Sequence, residues 1–180
     1  MELIKTPIEG LVVLQPKIFH DGRGHFYESY NREVFSKLGL DYDFVQDNQS
    51  LSQKGVLRGL HFQNPPHAQA KLVRVIKGAA LDVAVDIRKN SPTYGQHYSI
   101  RLDEQNKTLF MIPEGFAHGF LTLEDDTIFA YKCSNFYSKA SEESLLWNDP
   151  DLGIDWGISD PQLSEKDLKG KNFKDFSSRF

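Results

Sequence analysis

Apolar and polar residues alternate along most of this chain in short runs, each closed by glycine, proline or acidic residues, which predicts strands rather than helices. The alternation is most regular over Ala80–Ile87, with Leu81, Val83, Val85 and Ile87 on one face and Asp82, Ala84 and Asp86 on the other. Phe116–Leu123 puts Phe116, His118 and Phe120 on one face. Further strands are expected at Leu11–Phe19, His25–Tyr30, Phe44–Ser52, Val56–Phe62, Lys71–Ile76, His97–Leu102, Thr108–Ile112 and Thr127–Tyr137. Between them lie turn formers such as Gly22-Arg23-Gly24, Asn64-Pro65-Pro66 and Glu124-Asp125-Asp126. Many short strands at this spacing indicate a sandwich, jelly roll or barrel.

One helical run interrupts the pattern at Asn31–Leu38, where Asn31 caps, Val34, Phe35 and Leu38 form the stripe, and Gly39 ends it. From Trp147 onward the chain changes character, and Ser164-Glu165-Lys166-Asp167 has the form of a helix start. The expectation is one domain over 1–180 with a helical tail at about 159–180, and no repeat or low-complexity segment.

Composition adds exclusions. A net charge of −4 gives no general reason to bind nucleic acid or anionic lipid, although a local cluster of Arg and Lys suits an anionic small molecule. The first residues have no basic start followed by a long apolar run, and no stretch reaches transmembrane length. The single Cys133 has no intrachain disulfide partner, so a reducing, cytoplasmic setting is expected.

The stretch Gly55–Gly78, GVLRGLHFQNPPHAQAKLVRVIKG, resembles the first metal-binding motif of a cupin with ligands replaced. The position six residues after Gly55 is His61, but the second His of the motif is Gln63, and the Glu position before Gly78 is Lys71. Pro113-Glu114-Gly115-Phe116-Ala117-His118 matches the second motif and keeps its His. Two imidazoles beside an ammonium make a poor metal site, so no metal and no cofactor are expected. A His and a Lys facing one concave site suit a base beside an oxyanion partner instead.

Each of these residues has a plainer reading. In a regular strand Arg58 and His61 point to opposite faces, although the sequence permits a bulge at Gly59 that turns both inward. Lys71 shares its face with Val73 and Val75, so it sits at a rim or has a negative partner. Tyr131 alone reads as core, Asp167 as a first-turn charge and Arg23 as an exposed turn residue.

Taken together, several segments resemble the dTDP-4-dehydrorhamnose 3,5-epimerase family from Thr6 to about Gly170. They include Asp21-Gly22-Arg23-Gly24-x-Phe26-x-Glu28, Gln46-Asp47-Asn48-x-Ser50, Gly55-Val56-Leu57-Arg58-Gly59-Leu60-His61-Phe62-Gln63 and Gln69-x-Lys71-Leu72. Asp82-Val83-x-Val85-Asp86-Ile87-Arg88, Gly115-Phe116-Ala117-His118-Gly119-Phe120, Tyr131-Lys132 and Trp147-Asn148-Asp149-Pro150 complete the set. The resemblance implies an all-β cupin-type double-stranded β-helix (jelly roll) with a few short helices, mainly in the C-terminal tail. It also implies a homodimer, no catalytic metal and a dTDP-4-keto-6-deoxysugar substrate.

By this resemblance His61 is the base, Asp167 its carboxylate partner, Tyr131 the proton donor on the opposite ring face, and Lys71 the enolate's partner, with His118 and Asp82 nearby. Arg58 holds the diphosphate. Phe26, Glu28, Gln46, Asp47 and Asn48 belong to the nucleotide site, and Arg23 reaches in from the other subunit. Glu142 and Lys166 match further ligand contacts, with Glu143 the alternative to Glu142. Three rivals remain at this level: a metal-dependent cupin, a noncatalytic nucleotide-sugar-binding jelly roll, and a related epimerase that inverts only C3 or only C5.

Overall fold

The computed structural model describes residues 1–180. In chain order the strands begin with β1 (Glu2–Lys5), β2 (Val12–Gln15), β3 (Phe19–Asp21) and β4 (Gly24–Phe26). After helix α1 (Arg32–Lys37) come β5 (Gln46–Ser52), β6 (Leu57–Gln63), β7 (Lys71–Lys77), β8 (Ala79–Asp86) and β9 (His97–Asp103). The set closes with β10 (Leu109–Ile112), β11 (Phe116–Thr122), β12 (Thr127–Cys133) and β13 (Glu142–Ser144). The tail adds two single 3₁₀ turns, Asp167–Lys169 and Phe173–Asp175.

The strands form two facing antiparallel sheets, ordered β1-β2-β10-β7-β12-β5 and β13-β6-β11-β8-β9. From β5 onward the chain mostly alternates between them, the hallmark of a jelly roll. Strands β3 and β4 form a separate hairpin. No helix is long and apolar enough to cross a membrane.

Three apolar clusters hold the layers. Between the sheets lie Val73, Val75, Phe110, Phe116, Phe120 and Phe129. Behind the five-stranded sheet, Val83, Val85 and Ile87 meet Leu145, Leu152, Trp156 and Phe176 of the C-terminal region. The apolar face of β8 therefore turns toward the tail, and its Asp82 face turns toward the opposite sheet. Helix α1 covers the six-stranded sheet by placing Phe35 against Leu14, Leu72 and Met111. Asn31 caps it as expected, its Oδ1 accepting from the N–H groups of Glu33 (3.0 Å) and Val34 (3.3 Å), and Gly39 leaves it at φ +77°.

The differences from expectation are local. The run Leu11–Phe19 splits into β2 and β3 around Pro16, which has no N–H for a ladder. Strand β4 ends at Phe26, short of Tyr30, and β12 ends at Cys133, short of Tyr137. Strands β1 and β13 were not expected. Each is short, and β13 reads Glu-Glu-Ser, with no apolar alternation to mark it.

Candidate active site

The site begins with a bulge. Across β6 and β11, His61 stands opposite His118 and Arg58 opposite Phe120, so a three-residue step faces a two-residue step. The extra residue lets Arg58 and His61 share a face. Gly59 makes this possible: its φ is +136°, and a Cβ there would strike the Gly119 backbone and come within 2.9 Å of the His118 carbonyl oxygen. Arg58, His61, Lys71, His118, Tyr131 and Asp167 consequently line one chamber of about 300 Å³. A neighbouring recess of about 410 Å³ shares His61, Lys71 and Tyr131 and adds Gln46, Asn48 and Glu142.

The five-stranded sheet contributes His61 and His118, and the six-stranded sheet contributes Lys71 and Tyr131. His61 Nε2 lies 2.6 Å from Asp167 Oδ1, and Asp167 is only 3% exposed. Burial pushes the Asp167 carboxyl up, but hydrogen bonds from His61, Ser164 and the Gly59 N–H outweigh it and leave the group below the usual range. His118 Nε2 meets both oxygens of fully buried Asp82, at 3.1 and 2.9 Å. Burial still holds His118 below its ordinary value despite that partner, which favours neutral imidazole.

Lys71 stands in register with Cys133, and its ammonium hydrogen-bonds to no protein group. Burial lowers its pKa, with Cys133, Asp82 and Glu142 pulling the other way. Burial raises the Tyr131 phenol, so it keeps its proton at neutral pH. Arg58 Nε donates to Ser52 Oγ at 3.2 Å, leaving the outer edge of the guanidinium for a ligand.

At the recess, Glu142 pairs with Lys166 and accepts from the Tyr137 hydroxyl at 3.0 Å. Glu143 instead pairs with Lys171 at 3.4 Å, so Glu142 is the residue that faces the recess. Gln46 Nε2 donates to Asn48 Oδ1 at 3.1 Å. Asp47 points away from both cavities, onto the outer face of the six-stranded sheet, where it pairs with Lys132 at 2.9 Å. Alternation along β5 forces that separation. Arg23, Phe26 and Glu28 also lie outside their own chain's chamber: Arg23 has a side chain 91% exposed and Phe26 is 70% exposed on the β3–β4 hairpin.

The cupin metal positions do not assemble a donor set. Gln63 spends its Nε2 on the carbonyls of His67 (2.6 Å) and Phe136 (3.2 Å), and no three His, Cys, Asp or Glu side chains converge anywhere. Sequence reasoning missed three supporting groups: Ser52 beneath Arg58, Tyr137 on Glu142 and Ser164 on Asp167. For Ser164 the sequence does carry a signal, the Ser-x-x-Asp spacing of a helix start that brings its hydroxyl to Asp167.

Fold and site together define a cupin equipped to move protons, with a carboxylate-backed imidazole and a protonated phenol on facing sheets and an unpartnered ammonium in the same chamber. The chain belongs to the dTDP-4-dehydrorhamnose 3,5-epimerase family, whose model matches residues 5–175. It is 51% identical over 176 residues to the dTDP-4-dehydrorhamnose 3,5-epimerase of Shigella flexneri, covering 97% of each chain. The crystal structure of dTDP-4-dehydrorhamnose 3,5-epimerase from Elizabethkingia anophelis NUHP1 superposes with a TM-score of 0.93 at 52% identity, covering 97% of each chain. That of the dTDP-6-deoxy-D-glucose-3,5-epimerase of Legionella pneumophila Philadelphia 1, in complex with dTDP-4-keto-L-rhamnose, gives a TM-score of 0.94 at 48% identity, covering 98% of this chain and 94% of that one.

Proposed function

We propose that this chain converts dTDP-4-dehydro-6-deoxy-D-glucose to dTDP-4-dehydro-L-rhamnose by inverting C3 and C5. The C4 ketone acidifies the protons on both neighbouring carbons. His61, oriented by Asp167, removes the C3 proton, and the C–H electron pair moves into an enolate with its charge on O4. Lys71 receives that charge. Tyr131 then delivers its phenolic proton to C3 from the other face, and solvent resets both groups before the same sequence runs at C5.

The observation that carries this reading is the origin of base and acid on facing sheets, so that a sugar ring between them is flanked on both faces. Inversion needs that arrangement, because removal and return must occur on opposite sides. A positioned acid or base contributes roughly 10²–10⁴-fold, and a donor at the developing oxyanion about 2.7–4 kcal/mol. The test is proton NMR of the product formed in heavy water. Deuterium at both C3 and C5 with L configuration is expected, and label at only one carbon overturns the double inversion.

The nucleotide end is assigned to the recess lined by Gln46, Asn48 and Glu142, with Lys166 at its edge and the diphosphate on Arg58. The protein works as a homodimer in this reading: the β3–β4 hairpin presents Arg23, Phe26 and Glu28 to a second copy. Sedimentation should give twice the chain mass, and Arg23→Ala should weaken substrate binding without disturbing the fold. Barrel and tail act as one unit, since His61 comes from one and Asp167 from the other. A cytoplasmic site of action fits the nucleotide-sugar substrate.

A further inference from the structure

Asp167 reaches His61 from the tail, and something must hold it there. Its Oδ1 is occupied by His61 Nε2 at 2.6 Å and by the Gly59 N–H at 3.3 Å. Its Oδ2 has one partner, the Ser164 hydroxyl, at 2.5 Å. The backbone N–H of Asp167 in turn donates to Ser164 Oγ at 3.2 Å. The hydroxyl thus both caps a turn and clamps the carboxylate that the turn carries.

We infer that Ser164 is a positioning residue for proton abstraction, fixing through the second oxygen of Asp167 the orientation and charge that Asp167 offers to His61. The inference rests on the reading of His61 as the base. Its physical basis is the geometry of a buried carboxylate. With Oδ2 untethered, Asp167 is free to turn about its Cβ–Cγ bond, and Oδ1 leaves the line of His61 Nε2. Without that donor the anion is also less stabilised and more of its charge falls on Oδ1, so the carboxylate holds the imidazolium proton more strongly. Both effects act on a group that never touches the sugar.

The other charged or titratable groups around the pair are accounted for. Arg58 on β6, Lys71 on β7, His118 on β11 and Tyr131 on β12 line the same chamber, Lys166 lies on the tail segment itself, and Glu142 on β13 is within electrostatic reach of His61. None of them bonds to Asp167, so no other side chain substitutes for the serine.

The experiment compares wild type, Ser164→Ala and Ser164→Thr for solvent-deuterium exchange into dTDP-4-keto-6-deoxyglucose, with kcat and KM followed from pH 5 to pH 9. Ser164→Ala should lose about 10–100-fold in kcat, the range for a hydrogen bond to a charged group, with KM little changed. The acid limb of its kcat/KM profile should move to higher pH. Ser164→Thr keeps a hydroxyl at the same branch and should restore both kcat and the limb. A serine that served only the turn would lower thermal stability on replacement but leave the limb in place. A limb that stays or falls in Ser164→Ala, or a Thr variant as impaired as Ala, overturns the inference. Absence of exchange in wild type would instead overturn the reading of His61 on which it rests.

Discussion

The Lys71 ammonium stands 6.0 Å from the centre of the Tyr131 ring and has no acceptor of its own among the side chains around it. Burying a cation without a hydrogen-bond partner is unfavourable, and burial duly lowers its pKa. In the proposed reaction the enolate oxygen is the anion that meets this group. Lys71→Met should reduce kcat by about 10²–10³-fold while leaving nucleotide affinity intact. It should also raise the melting temperature. Because the folded value is depressed, the ammonium costs stability at neutral pH, and that cost disappears only as pH climbs through the folded value toward the unfolded one near ~10.4. A variant that is fully active, or one that melts lower, contradicts this account.

His61 and Tyr131 have separable tasks if the first removes protons and the second returns them. His61→Ala should abolish both deuterium uptake and product. Tyr131→Phe should still take up deuterium at C3 but form product at least a hundredfold more slowly, the order expected for a positioned acid. Equal loss of exchange and product in Tyr131→Phe would remove the distinction between the two residues.

Gly59 permits the bulge that turns Arg58 and His61 to the same side. Gly59→Ala puts a Cβ against the Gly119 backbone at a φ that L residues rarely adopt. The expected result is a melting temperature lower by several degrees together with near-complete loss of turnover. Unchanged activity would mean the bulge survives by another route.

Asp86 contributes to the pH dependence of stability. Burial raises its carboxyl, but hydrogen bonds from Arg88 (2.7 Å), Ser91 (2.6 Å) and Thr93 (2.6 Å) overcome this and bring it down to about 2. A depressed carboxyl contributes stability above its unfolded value of about 3.9, lost as pH falls through the folded one. Asp86→Asn should therefore cost on the order of 2 kcal/mol at pH 7 and much less at pH 2. Urea unfolding at the two pH values checks the difference, and a loss independent of pH would assign the effect to packing instead.

Much of this was legible in the chain itself. Alternation identified the strands that carry His118 and Asp82, and the substituted cupin positions pointed to His61 and Lys71 as proton and oxyanion groups. The conflict between Arg58 and His61 on one strand made Gly59 a candidate for a bulge, and the shifted register against β11 supplies it. Periodicity could not indicate which sheet face each side covers: the apolar face of Ala80–Ile87 meets the tail, while the face bearing Asp82 meets the opposite sheet. Nor could it find β13, where three polar residues pair with β6 because the barrel brings them to its edge. The contact between His61 and Asp167 spans 106 positions, and no local pattern reports a pairing of that separation.

The turn bearing Asp167 is anchored by two parallel bridges, Val56 to Gln162 and Leu145 to Lys171, both to residues that leave the ribosome earlier. Every strand is therefore synthesised before the imidazole acquires its carboxylate. Truncation after Ser159 removes Asp167 together with Lys166 and the core residue Phe176, so it should abolish deuterium exchange and also weaken dTDP binding, and supplying residues 160–180 as a separate peptide should restore part of that exchange. Exchange by the truncated protein alone would show that the imidazole needs no late-arriving partner.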